Sequence, residues 1–191
     1  MRHVIAFGMI TLSLNNPCPA VAATPDEFNS PQWIRVMDDD GAFAEQWVMI
    51  SSPAAGVRKI LTLDFDPGEA RDAAVEYLIV APPYDSGIKQ HIKDTEYHWA
   101  NLVIKVNGEV ILDQPAGKHI MPGTHRVKFS PAFLRNGENT IGIFWKPIPE
   151  ELRGRLIHGY IYLAVRREPK ACGKRAKDDK VGIRLLLNIG Y

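Results

Sequence analysis

The stretch from Pro82 to Trp99, PPYDSGIKQHIKDTEYHW, carries three aromatic rings, Tyr84, Tyr97 and Trp99, with the polar side chains of Asp85, Gln90, His91 and His98 set between them. A sugar ring presents an apolar C–H face rimmed by hydroxyl groups. Aromatic platforms beside hydrogen-bonding side chains are the chemistry that fits such a ring. These seven residues are therefore the candidate ligand site. A connection this long is unusual in a compact domain unless it is functional or disordered, which points to the same segment. A structural assignment competes with this one. Tyr97 and Trp99 stand where the next apolar run begins, and Trp99 fits the start of a buried strand better than it fits a platform; Tyr84 fits both roles equally.

Catalytic chemistry finds little support. The chain has no G-x-S-x-G elbow, Walker loop, H-E-x-x-H or C-x-x-C motif. Cys172, in KACGKRAKDDK, has nearby cations to favour a thiolate but no identifiable base to orient it, so it reads as an incidental loop thiol. Asp64, Asp66 and Glu69 could supply carboxylates for glycoside cleavage, yet nothing in the sequence fixes their separation. Asp38, Asp40 and Glu45, in MDDDGAFAE, offer hard oxygen ligands suited to calcium but lack EF-hand spacing, and a solvated turn fits them better. His91, Asp94, Glu96 and His98 share one segment without a recognised zinc spacing. The expectation is a chain without a cofactor, with a structural calcium left open.

Residues can only form a site if regular elements hold them, and those elements read as strands. WVMISS (47–52), KILTLDF (59–65), VEYLIVA (75–81), NLVIKV (101–106), EVIL (109–112), HRVKF (125–129), TIGIFW (140–145), GYIYLAVR (159–166) and VGIRLLLNI (181–189) are short, rich in branched and aromatic residues, and bounded by Gly, Pro, Asn or Asp. Leu102, Ile104 and Val106 alternate with Asn101, Val103 and Lys105, and Ile161, Leu163 and Val165 alternate with Tyr160, Tyr162 and Arg166. Trp145 and Tyr160 are assigned to the core. Ile183, Leu185, Leu187 and Ile189 give the last strand one apolar face. No window sustains a helical stripe. The pattern predicts an all-β protein, a single jelly-roll or Greek-key β-sandwich of about eight or nine strands.

Two Asn-Gly pairs read differently. Asn107-Gly108 separates two β runs by two residues, the signature of a hairpin closed by a type I′ turn with positive φ at both positions. Asn136-Gly137 follows SPAFLR, where Ser130 can cap a one-turn helix, Pro131 can open it and Gly137 can end it in the left-handed region. Together these elements are similar to the galactose-binding-like β-sandwich domains attached to many glycoside hydrolases. Val106, Asn107 and Gly108 match one structural motif, and Leu134, Gly137, Asn139, Ile141 and Ile143 match a second, over about residues 75–166. The resemblance implies the sandwich and a tendency to bind carbohydrate. Ligand residues in that family sit on variable loops, so the resemblance carries none of them over.

The chain begins MRHVIAFGMITLSLNNPCPAVAA, a basic residue, an eleven-residue apolar run and small residues at Ala20, Ala22 and Ala23, which reads as a signal peptide over 1–23 before a domain over 24–191. The run is too short for a membrane helix of ~20 residues, and no later stretch reaches that length. Removing Arg2 from 23 Lys+Arg leaves 22 against 22 Asp+Glu, a neutral domain that implies no nucleic-acid partner. Cys18 leaves with the signal, so Cys172 has no intrachain partner. The basic run over 166–180 could touch an anionic surface, although Asp178 and Asp179 dilute it and a solvated loop fits better. The sequence thus predicts a secreted or periplasmic carbohydrate-binding module. An adaptor that binds a protein partner through its sandwich is the alternative, and a glycan-degrading enzyme trails both.

Overall fold

Alternating apolar residues form strands that must hide one face each, and here two antiparallel sheets hide them against one another. The structure is a computed structural model describing residues 27–30, 32–37, 46–166, 180–181 and 183–189. The strands are β1 (Trp33–Met37), β2 (Gln46–Ile50), β3 (Val57–Leu63), β4 (Asp72–Asp85), β5 (Gln90–His91), β6 (Asn101–Val106), β7 (Glu109–Pro115), β8 (Gly123–Phe129), β9 (Gly137–Trp145), β10 (Tyr160–Arg166), β11 (Lys180–Val181) and β12 (Ile183–Asn188). The all-β sandwich expected from the sequence is the observed one. β1, the two-residue β5 and the split of the last run into β11 and β12 are additions to the expected strands. Only one-turn 3-10 helices interrupt the strands among the described residues.

The larger sheet is built on β4, which pairs with β12 and β8 along its first half and with β10 and β5 along its second; β1 extends β12, and β2 and β11 extend β10. The smaller sheet has the order β3-β9-β6-β7. Val75, Tyr77, Ile79, Ile161, Leu163 and Leu185 from the first meet Leu61, Ile104, Ile141, Ile143 and Trp145 from the second in one apolar core. Each such side chain stabilises the fold by roughly 1.5–3 kcal/mol. The alternation of β6 holds: Leu102, Ile104 and Val106 are in the core, and Lys105 is exposed.

Asn107 and Gly108 have φ of 52° and 92°, so β6 and β7 are joined by a two-residue turn with both central residues left-handed. The second Asn-Gly pair departs from expectation. Ser130 does cap a turn, Pro131–Phe133, by accepting from the Ala132 N–H at 3.3 Å, but that turn stops at Leu134. Gly137, at φ 92°, instead opens β9. The reason is Asn139, whose fully buried side chain donates to the carbonyls of Arg135 and Gly137 and accepts from the Arg135 N–H, holding the backbone in a wider loop. Asn107 donates to Asn139 Oδ1 at 2.8 Å and to the Phe133 carbonyl at 2.7 Å, and accepts from the Thr140 N–H. The two Asn-Gly loops are one hydrogen-bonded unit.

Part of the larger sheet's outer face is covered. Glu76, 1% exposed, accepts from Arg126 Nε at 2.6 Å and from Arg184 Nη1 at 2.9 Å. A buried carboxylate needs such partners to persist charged. Phe28 lies 4.9 Å from the Arg126 guanidinium and 4.7 Å from the Trp33 ring, and Glu27 pairs with Lys128 at 2.6 Å, so the segment before β1 folds over this cluster. The signal segment 1–23 with Cys18, the acids Asp38, Asp40 and Glu45, Cys172 and the basic run beyond Arg166 up to Asp179 lie outside the described residues.

Candidate functional site

The segment expected to be one long loop is built differently. β4 continues through Pro82 and Pro83 to Asp85 and turns back at once into β5, pairing Tyr84 with His91 and Asp85 with Gln90. Proline is tolerated there because those positions are not asked to donate. Instead, the Pro83 carbonyl accepts the Ile92 N–H at 2.8 Å, and the Pro82 carbonyl lies 2.7 Å from His91 Nδ1. Lys89 completes the turn at φ 56°.

Asp85 locks this hairpin to the chain that follows. It is 6% exposed; Oδ1 accepts the Gly87 N–H at 2.7 Å and Oδ2 accepts the Tyr97 hydroxyl at 2.7 Å. Burial pushes its pKa up, but the hydrogen bonds from Tyr97, Gly87 and Ile88 and the charge of His98 outweigh burial and hold the carboxyl below its ordinary value. The same bond to Asp85, with burial and the negative charge, raises the Tyr97 phenol. Asp85 is therefore already satisfied, and it serves the fold before it serves a ligand.

Trp99 is core. It is 2% exposed, stands 4.9 Å from Tyr97 and 6.4 Å from Trp145, and presses so close to Gly159 that a Cβ there would meet its Cζ3 at 2.4 Å. A ring sealed in this way has no face left for a ligand, which corrects its place among the candidate residues. Tyr97 is half-buried between Asp85 and Trp99, and His98 is exposed with its ring 3.9 Å from Tyr97. Gln90 is exposed on β5.

The rings that do gather on the surface come from β4, β5 and β10. Tyr84 lies 5.2 Å from His91 and 6.0 Å from Tyr160, and His91 lies 5.9 Å from Tyr162. Tyr84, Tyr160 and Tyr162 are half-buried, and beside them Met49 is 42% and Val80 41% exposed. Burial, then the neighbouring Tyr84 and Tyr160, raises the Tyr162 phenol, keeping it a neutral donor. This is an aromatic cluster on the outer face of the larger sheet, its rings inclined 47–67° to one another. Tyr160 is thus not the core residue expected of it. The alternation of β10, with Ile161 and Leu163 fully buried, already placed Tyr160 and Tyr162 on the opposite side. Trp145 is in the core as expected, its Nε1 donating to the Gly159 carbonyl at 3.1 Å.

The remaining chemical candidates do not converge. Asp64, Asp66 and Glu69 lie exposed around the turn after β3, where Asp66 caps it by accepting from the Gly68 N–H. His91, Asp94, Glu96 and His98 stay apart, and no three His, Cys, Asp or Glu side chains among the described residues gather as a metal site. No helix among the described residues is long and apolar enough to cross a membrane. No protein-family model matches this chain, and no curated protein matches it.

Proposed function

We propose that this chain is an exported, non-catalytic carbohydrate-binding module of the galactose-binding-like kind, and that its ligand lies on the tyrosine face of the larger sheet. The observation that carries this reading is the convergence of Tyr84, Tyr160 and Tyr162 with His91 on one exposed surface. Such rings offer apolar faces for sugar C–H groups and phenol and imidazole groups for sugar hydroxyls. An adaptor role is the second reading, favoured by Met49 and Val80 exposed beside the tyrosines, since Tyr and Met are enriched where proteins meet.

Affinity for a panel of plant, algal and bacterial polysaccharides, with the melting temperature of each variant, tests the proposal. Tyr84→Ala is expected to weaken binding by about 1 kcal/mol or more with the fold intact. Trp99→Ala is expected to cost about 3 kcal/mol of stability instead. If the wild type binds none of the panel, or Tyr84→Ala binds as well as wild type, the sugar reading fails, and capture of a protein partner by the wild type but not by Tyr84→Ala supports the adaptor.

A further inference from the structure

The outside of the smaller sheet, on the opposite side of the sandwich from the tyrosines, carries a groove of different chemistry. Arg58, Gly142 and Lys105 stand in one cross-strand row on β3, β9 and β6, and Phe144 lies in the next row beside Val103. A Cβ at Gly142 would stand 2.4 Å from Phe144 Cε2, and one at Gly56 2.0 Å from Cδ1. The Phe144 ring therefore lies flat on bare backbone, a platform that only two glycines permit. Two adjoining hollows of about 370 and 400 Å³ share Arg58, Lys105 and Phe144, and Arg135, Asn107 and Thr140 close the end near the hairpin. Both volumes fall in the usual range for ligand sites, ~300–1,000 Å³.

The charge is one-sided. Among the described residues none of Arg58, Lys105 and Arg135 makes an ion pair. Arg58 sits 5.4 Å from the Phe144 ring centre, and Arg135 Nε donates to the Glu138 backbone carbonyl at 2.7 Å. The acid that lines the hollows, Asp113, is already held by Lys146 at 2.5 Å. In a chain with 23 Lys+Arg against 22 Asp+Glu, three cations around one ring with no ion pair among the described residues are a local segregation. It suits a ligand with a carboxylate at the edge of an apolar ring face.

We propose that this groove binds an acidic saccharide of the uronate type, its carboxylates on Arg58, Lys105 and Arg135 and one pyranose face on Phe144. The assignment does not rest on the tyrosine face. Calorimetric titration of the full chain with polygalacturonate, with a neutral polysaccharide and with polyglutamate tests it, alongside the double variant Arg58→Gln/Lys105→Gln. Wild type is expected to bind polygalacturonate and to lose that binding at about 1 M salt, where the screening length is about 3 Å. The double variant is expected to bind it about tenfold or more weakly at low salt, because two charge-assisted contacts are gone. Its melting temperature should hold, since both side chains are exposed and make no ion pair among the described residues. Phe144→Leu is expected to weaken polygalacturonate binding and leave any polyglutamate binding alone. No binding of polygalacturonate by wild type, equal binding by the double variant, or polyglutamate bound as tightly as the saccharide would each overturn the proposal. Neutral polysaccharide reports on the tyrosine face, so failure there is read separately.

Discussion

Asp85 illustrates how a residue of the right type for a ligand can be spent on the fold. Its carboxylate joins the β4–β5 hairpin to Tyr97, with its pKa held down and that of the phenol held up. The stabilisation is fully present above the unfolded carboxylate value, ~3.9, and is lost as pH falls through the lowered folded value. At the other end it is present below ~10 and is lost as pH rises through the raised phenol value. Tyr97→Phe is therefore expected to melt below wild type at neutral pH, with the gap closing in both acid and strong base. Melting curves across pH check this, and a gap independent of pH would remove the Asp85–Tyr97 bond from the account. Composition shows only what Asp85, Tyr97 and Trp99 can offer a ligand. What their neighbours already take is visible only once Gly159 and Gly87 are in place.

The strands were legible because burial of one face writes itself into alternate residues, as in Leu102, Ile104 and Val106. The hairpin at Asn107-Gly108 was legible for an equally local reason, the positive φ that both positions require. Gly108→Val is expected to cost about 2 kcal/mol by strain alone, since no atom crowds the site, whereas Asn136→Gly on the exposed loop should be tolerated. Chemical denaturation of both variants checks the contrast; equal midpoints would overturn the turn assignment. The sequence points to Tyr84 and His91 of the aromatic face but not to Tyr160 and Tyr162, because their meeting depends on register. Tyr84 meets Tyr160 only through the bulged pairing of β4 with β10, and no local pattern encodes which residues of two distant strands stand side by side. The Asn107–Asn139 bond was hidden likewise, although both residues belong to the motifs that carried the family resemblance.

At the scale of the molecule, one core is shared by both sheets, and β4 touches four partner strands. Residues 24–191 are expected to give a circular dichroism spectrum dominated by β signal and to unfold in one cooperative transition, with coincident calorimetric and spectroscopic midpoints. Two separated transitions would mean that the sheets do not depend on each other.

The pairing of β1 with β12 has a mechanical meaning. Trp33 stands opposite Asn188, and the Ile189 N–H donates to the Gln32 carbonyl, so the outgoing chain leaves beside the point where the incoming chain arrives. Tension applied to these two ends acts across the ladder rather than along it, and its hydrogen bonds bear load one after another instead of sharing it. The seam is a zipper with both tabs at the same end. Pulled by handles at Trp33 and Asn188, the domain should open at β1 and β12 at low force, whereas handles attached to β7 and β3, on the smaller sheet, should meet a stiffer body.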